Sequence, residues 1–185
     1  MIYYIGYIPP KEFQDFYVDL VKYISKRFRL NKLAQKNRIP QITLKSPFEM
    51  GSPKSLDEWI SSFCQGQKPS EIRINGVGNF GEEVIFLHNQ PSKQMINTLG
   101  GLLDSLRSKN NISWSEYDTP NKTLHITLAK GEELGGKFQE IYDSLKAQDI
   151  KFVLPFDNIT IFQKDRERTS VYRTHYLGTS LYRRK

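Results

Sequence analysis

The spacing of apolar residues changes period along the chain, and the changes mark out its elements. Residues 2–8, "IYYIGYI", are rich in Ile and Tyr and read as a strand. Pro9 and Pro10 suit the opening turn of a helix. Phe13, Phe16, Tyr17, Leu20, Val21, Ile24 and Phe28 then recur at steps of three and four, the signature of one buried helix face, so these aromatics read as core and not as a platform for stacking bases. A second strand is predicted over 41–46 and a helix over about 54–65, entered through Ser52-Pro53 or Ser55. Strands over 70–76 and 82–87 flank "NGVGNFG", which precedes a strand and so reads as a tight turn, not a phosphate-cradling loop. A helix follows over about 91–109, strands over 112–117 and 123–130, and a helix over 132–147. Two last strands, 150–163 and 170–177, are joined by the charged "KDRERT".

One short pattern occurs twice. Residues 40–48 read "PQITLKSPF" and residues 124–130 read "LHITLAK"; Gln41 and His125 head matched Ile-Thr-Leu strands 84 residues apart. Strand and helix recur in similar order around both copies, which fits a duplication with a pseudo-twofold axis. In a strand, residues two apart share a face. Thr43 therefore lies on the side of Gln41, and Thr127 on the side of His125, while Ile42, Leu44, Ile126 and Leu128 point to the core. Set side by side across a cleft, the strands would bring together two threonine hydroxyls and two polar heads. That grouping suits chemistry at phosphorus, with hydroxyls on non-bridging oxygens and a histidine as base or acid.

Composition narrows the class. The chain has 185 residues, 38% hydrophobic and 25% charged, which fits one globular domain or two small lobes sharing a core. No linker rich in Pro, Gly or Ser divides it. No apolar run approaches the ~20 residues of a bilayer span. "MIYYIGYIPP" lacks a charged leader and a small-residue cleavage site, so it is expected to be a strand and not a signal peptide. The single cysteine, Cys64, excludes an internal disulfide, suits a cytoplasmic location and is expected to be a half-buried helix residue. Net charge is +7, a lean toward anionic partners, and "RFRLNKLAQKNR" (27–38) is the best candidate patch. The three histidines have no cysteine or carboxylate partners at metal-ligand spacing, so no metal and no cofactor are expected.

The residues resemble a known family. The two strands, "INGVGNFGEEVIFLH" (74–88), "LHITLAK" with Lys130 two positions past its leucine, and "FDNITIFQKDRERTSVYRTHYLG" (156–178) are similar to the motifs of the 2H phosphoesterase superfamily, on its 2′-5′ RNA ligase-like branch. The resemblance implies an α+β fold spanning 1–185 as one domain of two interleaved lobes, with two antiparallel sheets around a central cleft and helices outside. It implies action on 2′,3′-cyclic phosphates or 2′,5′-linkages of RNA or small nucleotides. By the family pattern His125 is catalytic, Thr43, Thr127 and Lys130 contact phosphate, and position 41 is a histidine. Gln41 departs from that pattern, whether natural or introduced, and glutamine does not titrate near neutral pH. The expectation is a phosphodiesterase of impaired activity, or else a non-catalytic module that binds a nucleotide or RNA end.

Other residues are weighed against plainer roles. Phe48 is a candidate to stack a base at the cleft mouth, with core packing as the rival. Arg168 and Tyr172 in the closing hairpin are candidates for the nucleotide side. His88 is expected at the surface or as a cap, and His175 as structural. Partners are therefore an RNA end or small nucleotide, with no membrane, and the chain is expected to act as a monomer.

Overall fold

The computed structural model describes residues 1–36, 38–109, 112–165 and 168–178. In chain order the elements are β1 (Ile2–Tyr7), α1 (Lys11–Phe28), α2 (Asn31–Ala34), β2 (Ile42–Glu49), α3 (Lys54–Gln65), β3 (Ser70–Phe80), β4 (Val84–Pro91), α4 (Lys93–Arg107), β5 (His125–Lys130), a 3₁₀ turn (Gly131–Leu134), α5 (Phe138–Lys146), β6 (Lys151–Phe156), β7 (Asn158–Asp165) and β8 (Arg168–Tyr176). They build two four-stranded antiparallel sheets, ordered β2-β1-β7-β8 and β5-β4-β3-β6. The two orders correspond. In each sheet an Ile-Thr-Leu strand forms one edge and pairs with the strand that precedes it, across an intervening helix. The halves are also interleaved, because β3 leaves the first half to join the second sheet and β7 and β8 return to the first.

Burial follows the predicted periods. Helix α1 buries Phe13, Tyr17, Leu20, Ile24 and Phe28 on one face. Helix α4 starts where the Ser92 hydroxyl accepts from the Met95 N–H at 3.1 Å, a capping bond that satisfies one otherwise unpaired donor. Its Met95, Leu99, Leu102, Leu103 and Leu106 are buried, and these side chains belong to one cluster that takes in both sheets. Among the described residues no helix is long and apolar enough to cross a membrane.

Five expectations need correction. Of "NGVGNFG" only its last residue, Gly81, lies in the turn. Strand β3 runs on through the rest to Phe80, with an irregularity between Ile74 and Val77, and the chain reverses only at residues 81–83. Residues 112–117 form no strand; Asp118 and Lys45 take up their backbone groups instead. The helix expected over 132–147 starts late, because Gly135 and Gly136, both in the left-handed region, separate a 3₁₀ turn from α5. The strand expected over 150–163 is broken at Asp157 into β6 and β7, which join different sheets. Cys64 is fully buried in α3, not half-buried, and burial pushes its thiol up to about 12, which leaves it inert as a nucleophile.

The loop before β5 is fastened to β2 by a buried ion pair. Lys45 Nζ lies 2.9 Å from Asp118 Oδ2, and neither side chain is exposed. The ammonium also donates to the Ser113 carbonyl at 2.8 Å and lies over the Phe48 and Trp114 rings. Asp118 accepts from the Ser46 N–H and the Ser115 N–H, each at 2.8 Å. Burial alone would raise this carboxyl, but the Ser46, Lys45 and Ser115 bonds outweigh it and hold the group below the usual carboxylate range. Its contribution to stability is present above the unfolded value of about 3.9 and is lost as pH falls through the lower folded value.

We therefore expect Asp118→Ala to lower the unfolding free energy by about 3–5 kcal/mol in urea titration, since it strands a buried ammonium. Adding Lys45→Met should recover part of that loss. A cost under ~1 kcal/mol for Asp118→Ala would contradict this account of the loop.

Candidate functional site

The two motif strands are the edges of their sheets, and they approach each other to within 8 Å, Cα to Cα. Their alternation is that of the sequence pattern: Ile42, Leu44, Ile126 and Leu128 are buried, and Gln41, Thr43, His125 and Thr127 are half-buried. Side chains meet carbonyls along these edges. Lys122 Nζ, three residues before His125, donates to the Leu44 carbonyl at 2.7 Å. The Tyr17 hydroxyl donates to the Thr127 carbonyl at 2.8 Å, and Arg38 Nη1 to the Leu128 carbonyl at 3.3 Å. Lys122 thus ties the approach to β5 onto β2. Its burial depresses the ammonium to about 8, with Asp118 opposing and Lys45 adding to the effect.

His125 is fixed in one tautomer. Its Nδ1 lies 3.0 Å from the Thr123 carbonyl. A carbonyl only accepts, so Nδ1 carries the proton and Nε2 keeps its lone pair in the neutral ring. The imidazole packs against Phe80, edge to face at 5.0 Å, and against Phe86 at 5.1 Å. Burial lowers its pKa; the Thr123 bond opposes this and the Lys122 charge adds to it. Gly78 makes the arrangement possible. A Cβ there would lie 2.5 Å from the Phe86 ring, so only glycine lets that ring lie across β3 and reach His125.

Position 41 has a shell of its own. The Tyr4 hydroxyl lies 3.0 Å from Gln41 Oε1 and 2.7 Å from Nε2, and the Tyr4 ring stacks on Phe162 at 4.7 Å. Gly6, the partner of Thr43 in the β1–β2 register, leaves the space that Phe162 fills, since a Cβ there would lie 2.9 Å from that ring. Burial raises the Tyr4 hydroxyl, although its bonds to Gln41 and Thr169 work against the shift.

The remaining candidates scatter. Lys130 is exposed at the end of β5, where its backbone N–H donates to Glu133 at 3.0 Å. Phe48 is 2% exposed with Lys45 over its ring, so it packs in the core and offers no open face to a base. Arg168 is exposed at the start of β8, opposite Asp165. Tyr172 is half-buried and meets Tyr3 edge-on at 6.2 Å. His175 Nε2 lies 2.7 Å from Asp57 Oδ1 and fastens β8 to α3. His88 neither ends its strand nor caps anything; it sits inside β4 directly opposite His125, so both side chains rise from the same face.

Sequence reasoning missed Lys122, Tyr4 and Phe86. Tyr4 and Phe86 read only as strand hydrophobes, and Lys122 lies in a polar run with no periodic signal. Among the described residues no group of three or more His, Cys, Asp or Glu is placed to hold a metal ion.

Known proteins share this architecture. The profile of the 2′-5′ RNA ligase superfamily matches residues 9–168. TT0787 of Thermus thermophilus has a similar fold, with a TM-score of 0.61 at 14% identity over 97% of this chain and 100% of that one. Escherichia coli LigT, solved with 3′-AMP, superposes with a TM-score of 0.59 at 14% identity over 96% of this chain and 98% of its own. No curated protein matches the sequence.

The environment of His125 makes a measurable demand. By NMR titration its imidazole should have a pKa below the ~6.5 of a free histidine side chain. Lys122→Met should move that value upward, because it removes a nearby positive charge. No change, or a downward move, would contradict the assignment of Lys122 as a charge that adds to the effect of burial on the histidine.

Proposed function

The chain belongs to the 2′-5′ RNA ligase superfamily, of 2H phosphoesterase type, and from that premise we propose that the space between β2 and β5 binds the phosphate of an RNA end or small nucleotide. Thr43 and Thr127 donate their hydroxyls to non-bridging oxygens from opposite sides. His125 acts as general base through Nε2, whose lone pair its depressed pKa keeps available at neutral pH. Gln41 stands where the second proton-transfer group of the family pattern belongs. Its amide can hold an oxygen, but it cannot protonate a leaving group. The observation that carries this reading is the pairing of two identical Ile-Thr-Leu edge strands within 8 Å of each other, one headed by a neutral, oriented histidine. Structures of LigT with 3′-AMP and with phosphate support the choice of ligand.

The reaction on this scaffold is cleavage of a 2′,3′-cyclic phosphate or a 2′,5′-linkage. Entering and leaving oxygens lie roughly in line on opposite sides of phosphorus. One histidine therefore serves one side, and turnover is slow for want of an acid at position 41. A second reading is favoured by the Tyr4–Gln41 contact: the amide is held by a built partner, as suits a site that binds a nucleotide or RNA end without turning it over.

The two readings part on one substitution. Gln41→His should raise hydrolysis of a 2′,3′-cyclic nucleotide or 2′,5′-linked dinucleotide by about 10²–10⁴-fold, the usual worth of one acid–base partner. The Tyr4 hydroxyl is in place to hold the new ring. His125→Ala in that background should abolish the gain, and the rate should fall as pH drops below the depressed His125 pKa, where the base is protonated. If Gln41→His gives no turnover while 3′-AMP still binds, the enzyme reading falls and the binding reading stands.

A further inference from the structure

The positive charge of this chain is concentrated in one segment. From Leu20 to Phe48 there are eight Lys and Arg and no Asp or Glu, so with a net charge of +7 the rest of the chain sums to −1. Part of that segment encloses a cavity of about 660 Å³ between α1 and the stretch that leads into β2. Lys22, Lys26, Arg29, Lys36 and Arg38 line it over a floor that includes Val21 and Leu33, and no carboxylate is among its lining residues. Lys22 and Lys26 fall on one face of α1, away from its buried Phe13–Tyr17–Ile24 face, and Arg29 follows at the C-cap. Lys22 pairs with Asp19 at the surface and Arg38 with Glu133. Among the described residues Lys26, Arg29 and Lys36 have no carboxylate partner. Arg29 caps α1 with φ of 56°, a left-handed conformation in which glycine is the ordinary residue, so local backbone preference does not explain an arginine there.

The cavity also adjoins the motif strands. Tyr17 and Arg38 line it, and the same side chains donate to the Thr127 and Leu128 carbonyls of β5. Beyond Arg38 the chain passes directly to Gln41. A phosphate held between Thr43 and Thr127 would therefore lie beside a basic trough whose own lining has no carboxylate, with apolar patches on its floor and Glu133 held by Arg38 at its edge.

We infer that this trough binds the backbone of a single-stranded RNA whose terminal phosphate occupies the cleft, so that the preferred ligand is an oligonucleotide and not a mononucleotide. The inference rests on the cleft being a phosphate site. Lys26, Arg29 and Lys36 meet successive phosphates as point charges, while Val18 and Val21 offer apolar surface to sugars and bases. Such contacts are independent of base sequence and fall steeply with salt.

The test compares 3′-AMP with a short single-stranded RNA ending in a 3′-phosphate, by fluorescence anisotropy across a salt series. The variant is Lys26→Gln with Arg29→Asn and Lys36→Gln; these are exposed sites, and asparagine tolerates the left-handed backbone at 29. The wild-type chain should bind the RNA at least ~10-fold more tightly than 3′-AMP at low salt. The variant should lose that advantage, keep its affinity for 3′-AMP, and show a log–log salt slope smaller by about 2, at roughly 0.7 for each phosphate no longer neutralised. Equal RNA affinity in variant and wild type would overturn the inference, as would an RNA that binds no better than 3′-AMP or an acidic peptide that competes as well as RNA. Thr43→Ala with Thr127→Ala separates the two sites. If that pair leaves 3′-AMP binding intact while the lysine–arginine variant still loses RNA, the cleft reading fails and the trough remains.

Discussion

An edge strand leaves backbone carbonyls without a ladder partner, and two edge strands set against each other must satisfy those groups without merging into one sheet. In this fold side chains do it. The Lys122 ammonium takes the Leu44 carbonyl, the Tyr17 hydroxyl takes that of Thr127, and the Arg38 guanidinium that of Leu128. The Lys122 bond holds the approach to β5 against β2, while the Tyr17 and Arg38 bonds tie β5 to α1 and to the segment that enters β2. The Lys45–Asp118 pair works on the same joint from behind, since it fastens the loop that delivers Lys122. That joint also places one of the charges that act on His125. Burial there depresses Lys122 to about 8; burial of the imidazole is the main cause of the lowered His125 value, and the Lys122 charge adds to it.

The two halves are alike in backbone and unlike in chemistry. Each places a glycine beside the motif strand or its neighbour so that an aromatic ring can fold over the sheet: Phe162 over Gly6 and Phe86 over Gly78. In the second half the ring packs directly on an imidazole. In the first it supports Tyr4, whose hydroxyl holds the Gln41 amide. The asymmetry is therefore not confined to residue 41. The surroundings of His125 favour the neutral imidazole, whereas those of Gln41 present a hydrogen-bonding amide that does not titrate.

Much of this is legible in the amino-acid sequence. The repeated Ile-Thr-Leu pattern can be read because period-two burial leaves the threonines and the heads on one face, and the edges obey it. Helices α1 and α4 can be read because their apolar residues recur at three and four. The family and the paired-sheet architecture follow from the resemblance. What stays hidden depends on contacts far apart in sequence. "NGVGNFG" carries the composition of a turn, yet Gly76 and Gly78 sit within β3 and only Gly81 belongs to the reversal, and only the Phe86 ring explains Gly78. Residues 112–117 alternate like a strand, but the ion pair across the fold claims their backbone groups. His88 owes its position beside His125 to strand register, which no local pattern encodes, and Phe48 is withdrawn from the cleft by a buried lysine three residues away.

The central claim is that one phosphate is held jointly by the two motif strands. The most direct measurement is an amide NMR titration of the labelled chain with 3′-AMP. The account predicts that the Thr43 and Thr127 resonances shift together along one saturating curve, with the His125 ring nitrogens following at the same midpoint. Shifts confined to one strand, or to α1 and α2 with both threonines unmoved, would contradict it.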